Sequence, residues 1–307
     1  MKILITGGLG HIGSSIIRYL PKLKKIKKIY IVDNMMSQRY CSLFDLPNNV
    51  KYKFLNLDLS KCKITSIPKS DIVIHLGAKT DAAQSASFKN EFYKNNKSAT
   101  INIIDYCNKY KAKLIFASST SVYGPQDNVV YENSSIKNLN PQSPYAKIKL
   151  DEEKLIKKKL KKTNSYLILR LGTIYGFSTG IRFHTAINKF CLQACMNENL
   201  TIWKTAYNQR RPYLGLDDFN RVINHILKNN LVANNTYNIL SHNLMVSDII
   251  KIINKRKKIK KIFVNHPIMN QLSYTISNDK FCNTKFKFNS NLKKEINKTI
   301  DKIINIS

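Results

Sequence analysis

Residues 1–13 read MKILITGGLGHIG, and this stretch decides the fold. Residues 2 to 6 form a short apolar strand, and Gly7, Gly10 and Gly13 fall on the turn and opening helix behind it. Glycines at that spacing let a backbone close on a pyrophosphate, whose charge then meets the exposed amides of a helix start. A second strand, Lys28 to Val32, ends at Asp33, about twenty residues beyond the last glycine. A carboxylate there accepts both ribose hydroxyls and repels a 2′-phosphate, so the pattern predicts NAD rather than NADP.

Outward from this start the chain alternates strand and helix. A third strand spans Val50 to Asn56, a fourth Asp71 to Leu76 (DIVIHL), a fifth Lys113 to Ala117 and a sixth Ser165 to Leu169. Helices are expected over Asn96 to Lys109 and from Ser143-Pro144 onward. Nearly continuous apolar strands of this kind suit a parallel sheet covered on both faces. The expected fold is therefore α/β, a Rossmann-like doubly wound parallel sheet, with ligands beyond the carboxyl ends of the strands. From residue 172 the pattern changes to helices near 184–196 and after Asp217, a strand at Leu200 to Trp203, and a last helix over Asn291 to Ile304. Residues 1–171 are thus expected to bind the dinucleotide. Residues 172–307 are expected to form a cap packed on the sheet, mainly a smaller α/β substrate-binding subdomain, with some elements returning to the sheet. Ile296, Ile300, Ile303 and Ile304 are expected to pack into its core.

Composition narrows the classes of function. With 307 residues and 43% apolar content, the chain can build one large core or two subdomains. Met1 leads directly into a strand and no apolar run approaches a membrane span, so neither secretory leader nor membrane association is expected. The six cysteines show no CxxC spacing, and Cys191 and Cys195 read as packed residues, not a metal site. A reduced, cytoplasmic setting follows. Lysine and arginine number 51 for a formal charge of +32, but only eight of them are arginine and the lysines are dispersed. A nucleic-acid surface concentrates arginine among aromatics on one element, so no specific nucleic-acid partner is expected.

The candidate chemistry lies around Tyr145. Ser143 suits an N-cap and Pro144 the first helical position, which sets Tyr145 and Lys149 one turn apart on one face. An ammonium beside a phenol favours the phenolate, as an acid–base role requires. Hydroxyls from the segment FASSTSVYG, residues 116–124, follow the fifth strand into the same crevice and can donate to a developing oxyanion.

These spaced motifs resemble the extended short-chain dehydrogenase/reductase superfamily, in its nucleotide-sugar epimerase/dehydratase branch. The resemblance covers nearly the whole chain. It implies that Gly7, Gly10, His11, Ile12, Gly13, Asp33, Asn34, Asp58, Leu59, Leu76, Gly77, Ala78 and Asn96 bind NAD together with Tyr145 and Lys149. It implies a catalytic Ser119, Tyr145 and Lys149, and substrate contacts from Thr80, Ser119, Thr120, Thr173, Arg182 and Arg211. The activity implied is epimerisation of a nucleotide diphosphate sugar through a transient 4-keto intermediate, by a homodimer joined through helices beside the sheet. The same triad serves a 4-keto nucleotide-sugar reductase using NAD(P)H, and a dinucleotide-binding regulatory protein is the alternative outside catalysis.

The departures are informative. The family's dehydratases carry an Asp-Glu pair directly after the catalytic threonine, where this chain has Thr120 and Ser121, so dehydration is not expected. Thr173 stands where the family has asparagine. Leu272 stands where it has a diphosphate-binding arginine.

Overall fold

The computed structural model describes residues 1–80, 84–126, 128–133, 139–163, 165–265 and 273–304. The first half runs β1 (Lys2–Thr6), α1 (His11–Tyr19), β2 (Lys28–Asp33), β3 (Lys51–Asn56), β4 (Ile72–His75), α2 (Gln84–Ser87), α3 (Lys89–Tyr110), β5 (Lys113–Ser119), α4 (Pro144–Leu160) and β6 (Tyr166–Leu171). The second half runs β7 (Thr173–Tyr175), α5 (Ala186–Cys195), β8 (Leu200–Trp203), β9 (Arg210–Gly215), α6 (Leu216–Lys228), β10 (Asn235–Ile239), β11 (His242–Met245), α7 (Val246–Arg256), β12 (Lys261–Val264), α8 (Asp279–Cys282) and α9 (Leu292–Ile304).

Seven strands make one all-parallel sheet in the order β3-β2-β1-β4-β5-β6-β10. Strand side chains alternate between faces, and each face finds its own cover. Ile3, Ile5, Ile29 and Ile31 face α1 and α6, where Ile16, Ile17, Phe219, Val222, Ile223 and Ile226 meet them. Leu4, Tyr30, Val32 and Val73 face the opposite layer, with Ile103 and Ile104 of α3 and Ile156 and Leu160 of α4. Each such apolar side chain contributes about 1.5–3 kcal/mol on burial, which makes these two layers the main stabilising feature.

The second half does not stand apart from this sheet. α6 covers its first face, and β10 extends its far edge in parallel register with β6, Asn235 opposite Leu167. The backbone N–H of Asn238 donates to the Glu132 carboxylate at 2.7 Å. Around it, β7, β9 and β11 form a three-stranded sheet, and β8 pairs with β12. α5, α7 and α9 share a core containing Phe190, Ile250, Ile253, Ile296 and Ile300. Ile303 packs against this core only partly and Ile304 stays 37% exposed, because the helix runs out of cover in its last turn. Among the described residues, no helix is long and apolar enough to cross a membrane.

Three expected boundaries shift by two residues or more. α3 begins at Lys89 instead of Asn96, β5 continues through Ser119, two residues beyond Ala117, and β6 through Leu171, two beyond Leu169.

Candidate active site

The strand order reverses at β1, whose neighbours are β2 on one side and β4 on the other. In a doubly wound sheet the two connections leave in opposite directions there and open a crevice at the strands' carboxyl ends. A cavity of about 980 Å³ occupies that place.

Its floor is the glycine turn. Gly7 has φ +66°, and a Cβ on it would lie 2.7 Å from the Gly77 Cα atom. A Cβ on Gly13 would lie 2.3 Å from the Gly7 carbonyl oxygen. Side chains at either position would push the loop away from the β4 end and off the start of α1. Gly10, His11, Ile12, Leu76, Gly77 and Ala78 line the cavity with them. α1 has no acidic residue in its first turn, so its amide end stays favourable to an anion.

His11 is buried and uncharged. Its Nδ1 lies 2.8 Å from the Ser178 hydroxyl, which itself donates to the His11 carbonyl, while Asn188 Nδ2 lies 3.3 Å from Nε2. This network fits a proton on Nδ1. Burial, then Arg182, Arg39 and His184, brings its pKa down to about 3.

At one end of the cavity, Asp33 closes β2. Its two carboxylate oxygens accept one backbone N–H each, from Met35 at 2.9 Å and Leu9 at 3.1 Å. Asn34, Asp58 and Leu59 line the wall beside it, with Asp58 held by the Ser60 hydroxyl at 2.6 Å. This end has the chemistry of an adenosine site: a carboxylate at a strand end beside apolar Leu57 and Leu59.

α4 supplies the candidate Tyr145–Lys149 pair. Ser143 caps it by accepting from the Ala146 N–H at 3.1 Å, and Pro144 takes the first helical position. Tyr145 is half-buried and Lys149 is 3% exposed; both line the cavity. Lys149 Nζ sits 4.6 Å from the centre of the Phe116 ring and 3.0 Å from Glu152. Burial lowers the proton affinity of the ammonium, but Glu152 and Tyr145 more than offset it and the pKa is raised. For Tyr145 burial is also the largest influence and leaves the phenol above its ordinary value, against the downward pull of Lys149, Arg182 and a hydrogen bond with Ser119. Ser119 in turn accepts the Ser121 hydroxyl at 2.8 Å and the Ser121 N–H at 3.2 Å, which leaves its own proton for Tyr145 or a ligand.

Thr80, Thr120, Thr173, Arg182 and Arg211 line the other end. Arg182 donates to the Thr80 hydroxyl, and Thr120 donates to the Leu171 carbonyl at 3.2 Å. Arg211 donates from Nη2 to the Gln209 side chain at 3.4 Å, and its buried Nε has no hydrogen-bond partner among the described residues.

The structure therefore brings every singled-out residue into one cavity except Asn96. Asn96 is fully buried and grips the backbone of Lys79, accepting from its N–H at 2.8 Å and donating to its carbonyl at 2.9 Å. It shapes the 77–80 turn instead of touching a ligand. Leu272 lies outside the described residues. Tyr274, Arg39, Lys189 and Trp203 also line the cavity and were not assigned from the sequence. Among the described residues no cluster of His, Cys, Asp or Glu could hold a metal.

A parallel sheet with a glycine turn at its switch point and a Tyr–Lys pair on the helix facing it defines a dinucleotide-dependent oxidoreductase-type site. The NAD dependent epimerase/dehydratase family model matches residues 3–239, and the chain belongs to that family. It is 32% identical over 257 residues to the dTDP-D-glucose 4,6-dehydratase of Dictyostelium discoideum, covering 78% of this chain but only 58% of that protein. It is 31% identical to the ADP-L-glycero-D-manno-heptose-6-epimerase of Brachyspira hyodysenteriae over 74% of this chain and 72% of the relative. Its fold matches the crystal structure of UDP-glucuronic acid 4-epimerase from Bacillus cereus in complex with UDP-glucuronic acid and NAD, with a TM-score of 0.89 over 100% of both chains at 24% identity.

Proposed function

We propose that the protein is an NAD-dependent epimerase of a nucleotide diphosphate sugar, acting through a transient 4-keto intermediate. The observation that carries this reading is the single cavity shared by the glycine turn, Asp33, the Tyr145–Lys149 pair and Arg211. One end offers a dinucleotide cradle and the other offers cationic donors for a second diphosphate. The residues fit NAD: Gly7 and Gly13 leave room for a pyrophosphate, and Asp33 keeps lone pairs for ribose hydroxyls.

When bound, the nicotinamide supplies a hydride acceptor and donor. Tyr145 takes the proton from the sugar C4 hydroxyl at its phenolic oxygen and later returns one. Lys149 favours the phenolate by its charge and has spare N–H donors for the ribose. Ser119 donates to the oxygen of the 4-keto sugar, where negative charge develops. Arg211 and Arg182 hold the substrate while the ketone turns to present its other face. Thr120 and Ser121 offer no carboxyl group to remove water, which weighs against dehydration although one relative is a dehydratase. α3 and α4 pack side by side on one face of the sheet, and α3 leaves Tyr93 and Ile101 exposed, which supports a homodimer through these helices.

Native mass spectrometry of the purified chain with a panel of nucleotide sugars, followed by NMR of the products, tests the reading. The expected result is retained NAD, a bound nucleotide diphosphate sugar and its C4 epimer. Stoichiometric NADH consumption would replace the epimerase with a keto-sugar reductase, a 4-keto-6-deoxy product would replace it with a dehydratase, and absence of any sugar-nucleotide complex would overturn the enzymatic assignment.

A further inference from the structure

Beneath the cavity a chain of buried polar side chains links the glycine turn to the reactive end of α4. The Thr6 hydroxyl, at the end of β1, accepts the backbone N–H groups of Leu76 and Gly77 at 3.2 and 3.1 Å. Its own proton therefore points to His75 Nδ1, 2.6 Å away. The proton of neutral His75 then sits on Nε2, facing the Thr100 hydroxyl at 3.3 Å, and Thr100 donates to Glu152 Oε1 at 2.6 Å. The other Glu152 oxygen lies 3.0 Å from Lys149 Nζ. Every donor in the series points toward one carboxylate.

We propose that Glu152 is a positioning residue of the active site: its carboxylate holds the Lys149 ammonium at the cavity wall and ties the glycine-turn strand to the proton-transferring end of α4. The proposal rests on the acid–base role assigned above to Tyr145 and Lys149. Three observations carry it. Glu152 is 2% exposed and Lys149 3%, so each buried charge needs the other as its close opposite partner. Lys149 lines the cavity whereas Glu152 does not, so the carboxylate touches no ligand and acts through its contact with the ammonium and through its charge. Glu152 is held at both oxygens, Oε1 by the Thr100 hydroxyl of α3 at 2.6 Å and Oε2, which has no hydrogen-bond partner of its own among the described residues, by the Lys149 ammonium in ion-pair range at 3.0 Å.

The charges facing Tyr145 and Lys149 are Glu152 and Glu153 on α4 and Arg182 from the loop after β7, with His75 of β4 beside Lys149. His75 is uncharged, its pKa brought down to about 3 by burial and by Lys149. Glu152 is thus the close anion opposing the two cations that favour the Tyr145 phenolate. Its removal must lower the proton affinity of the Tyr145–Lys149 pair as a unit, because two coupled groups share their titration.

The test uses the full chain, with and without NAD, carrying tyrosine labelled at Cζ and lysine labelled at Cε. Tyr145→Phe and Lys149→Met spectra identify the two resonances, and wild type is compared with Glu152→Gln and Glu152→Asp across pH. The lower of the two midpoints should fall by about one to three pH units in Glu152→Gln, the range an opposing charge at this distance commands. Glu152→Asp should recover most of that shift. The acid limb of log kcat against pH should move with the resonance. Unmoved midpoints in a Gln variant that keeps its cooperative thermal transition would overturn the proposal. Should that variant not fold, the Asp variant decides: a smaller shift in the same direction supports the role, and wild-type midpoints overturn it. A moved midpoint in a protein that converts no sugar nucleotide would sink the functional reading and leave the role of Glu152 standing.

Discussion

Two neighbouring carboxylates on α4 meet opposite fates. Glu152 and Glu153 are both buried, and each accepts a hydroxyl at 2.6 Å, from Thr100 and Ser118 respectively. Glu153 then takes the Arg170 guanidinium in a two-pronged bond, 2.9 Å from Nε and 2.7 Å from Nη2. Arg170 spends its remaining reach on the Tyr123 hydroxyl at 2.8 Å, which donates to Asn238 at 2.7 Å. That network joins α4, β5, β6 and β10, and neither Glu153 nor Arg170 lines the cavity. Glu152 is matched instead with a cation that does. An ion pair closed on all sides locks elements together, whereas one with a face on a cavity can exchange protons and ligands. The same residue type at adjacent positions serves both ends because a helix turns about 100° between them.

Changing the open end should cost activity and little stability. Tyr145→Phe is expected to reduce kcat by about 10²–10⁴-fold, the range for loss of a positioned acid–base group, with NAD binding retained. Steady-state turnover beside a thermal melt checks it, and wild-type-like turnover would erase the distinction between the two pairs.

At the closed end the balance should invert. Glu153→Ala leaves Arg170 charged and buried without its partner, an expected loss of about 3–5 kcal/mol in unfolding free energy. Denaturant unfolding measures this, and activity per folded molecule should survive at a permissive temperature. A loss below about 1 kcal/mol would mean the pair is no lock.

The smallest effect concerns pH. His75, on the Glu152 side, has a folded pKa of about 3 against 6.5 for a free histidine, so the unfolded chain binds more protons between those values. Stability from this group is present above pH 6.5 and is lost as pH falls toward 3, by about 1.4 kcal/mol per pH unit. Glu295 in the second half contributes the opposite slope. Its carboxyl is raised from 4.5 to about 7 by burial and by Asp217, so its stabilisation is lost as pH rises through that range. The informative quantity is therefore the difference between wild type and His75→Asn in denaturant midpoint from pH 7 to 4.5. The variant should lose less stability on acidification, and parallel curves would remove His75 from the account.

How far the sequence spoke follows from what each residue must do. β1, β2 and β4 to β6 are legible because strands covered on both faces must be largely apolar, and DIVIHL or YLILRL admits few other structures, whereas edge strand β3, KYKFLN, shows only an alternation of lysine with larger side chains. β9 is not, because Pro212 sits inside it, tolerable only since β7 pairs with residues 213–215 and leaves Pro212 facing Asn243 alone. The start of α3 is hidden in KNEFYKNN, which carries one apolar pair and no helical stripe.

At the site, the glycines, Asp33 and Tyr145 announce themselves by spacing, whereas Glu152 does not. Its signal lay in a pattern not taken up. Ala146, Lys149, Glu152, Glu153, Ile156 and Leu160 fall on the buried stripe of α4, three charged residues at positions that should be apolar. Tyr274 gave no local cue, since only the fold carries it to the cavity wall.

The place of β10 bears on how the molecule can come into being. β6 is buried along its whole length, yet its outer neighbour is encoded only after β7, α5, β8, β9 and α6 of the second half. A nascent chain leaving the ribosome must carry that bare hydrophobic margin until residues 235–239 emerge. The first half is therefore not a detachable module. A gene fragment ending at Gly172 would expose a sticky edge and aggregate, and evolution can trade substrate loops in this scaffold only by keeping the returning strand.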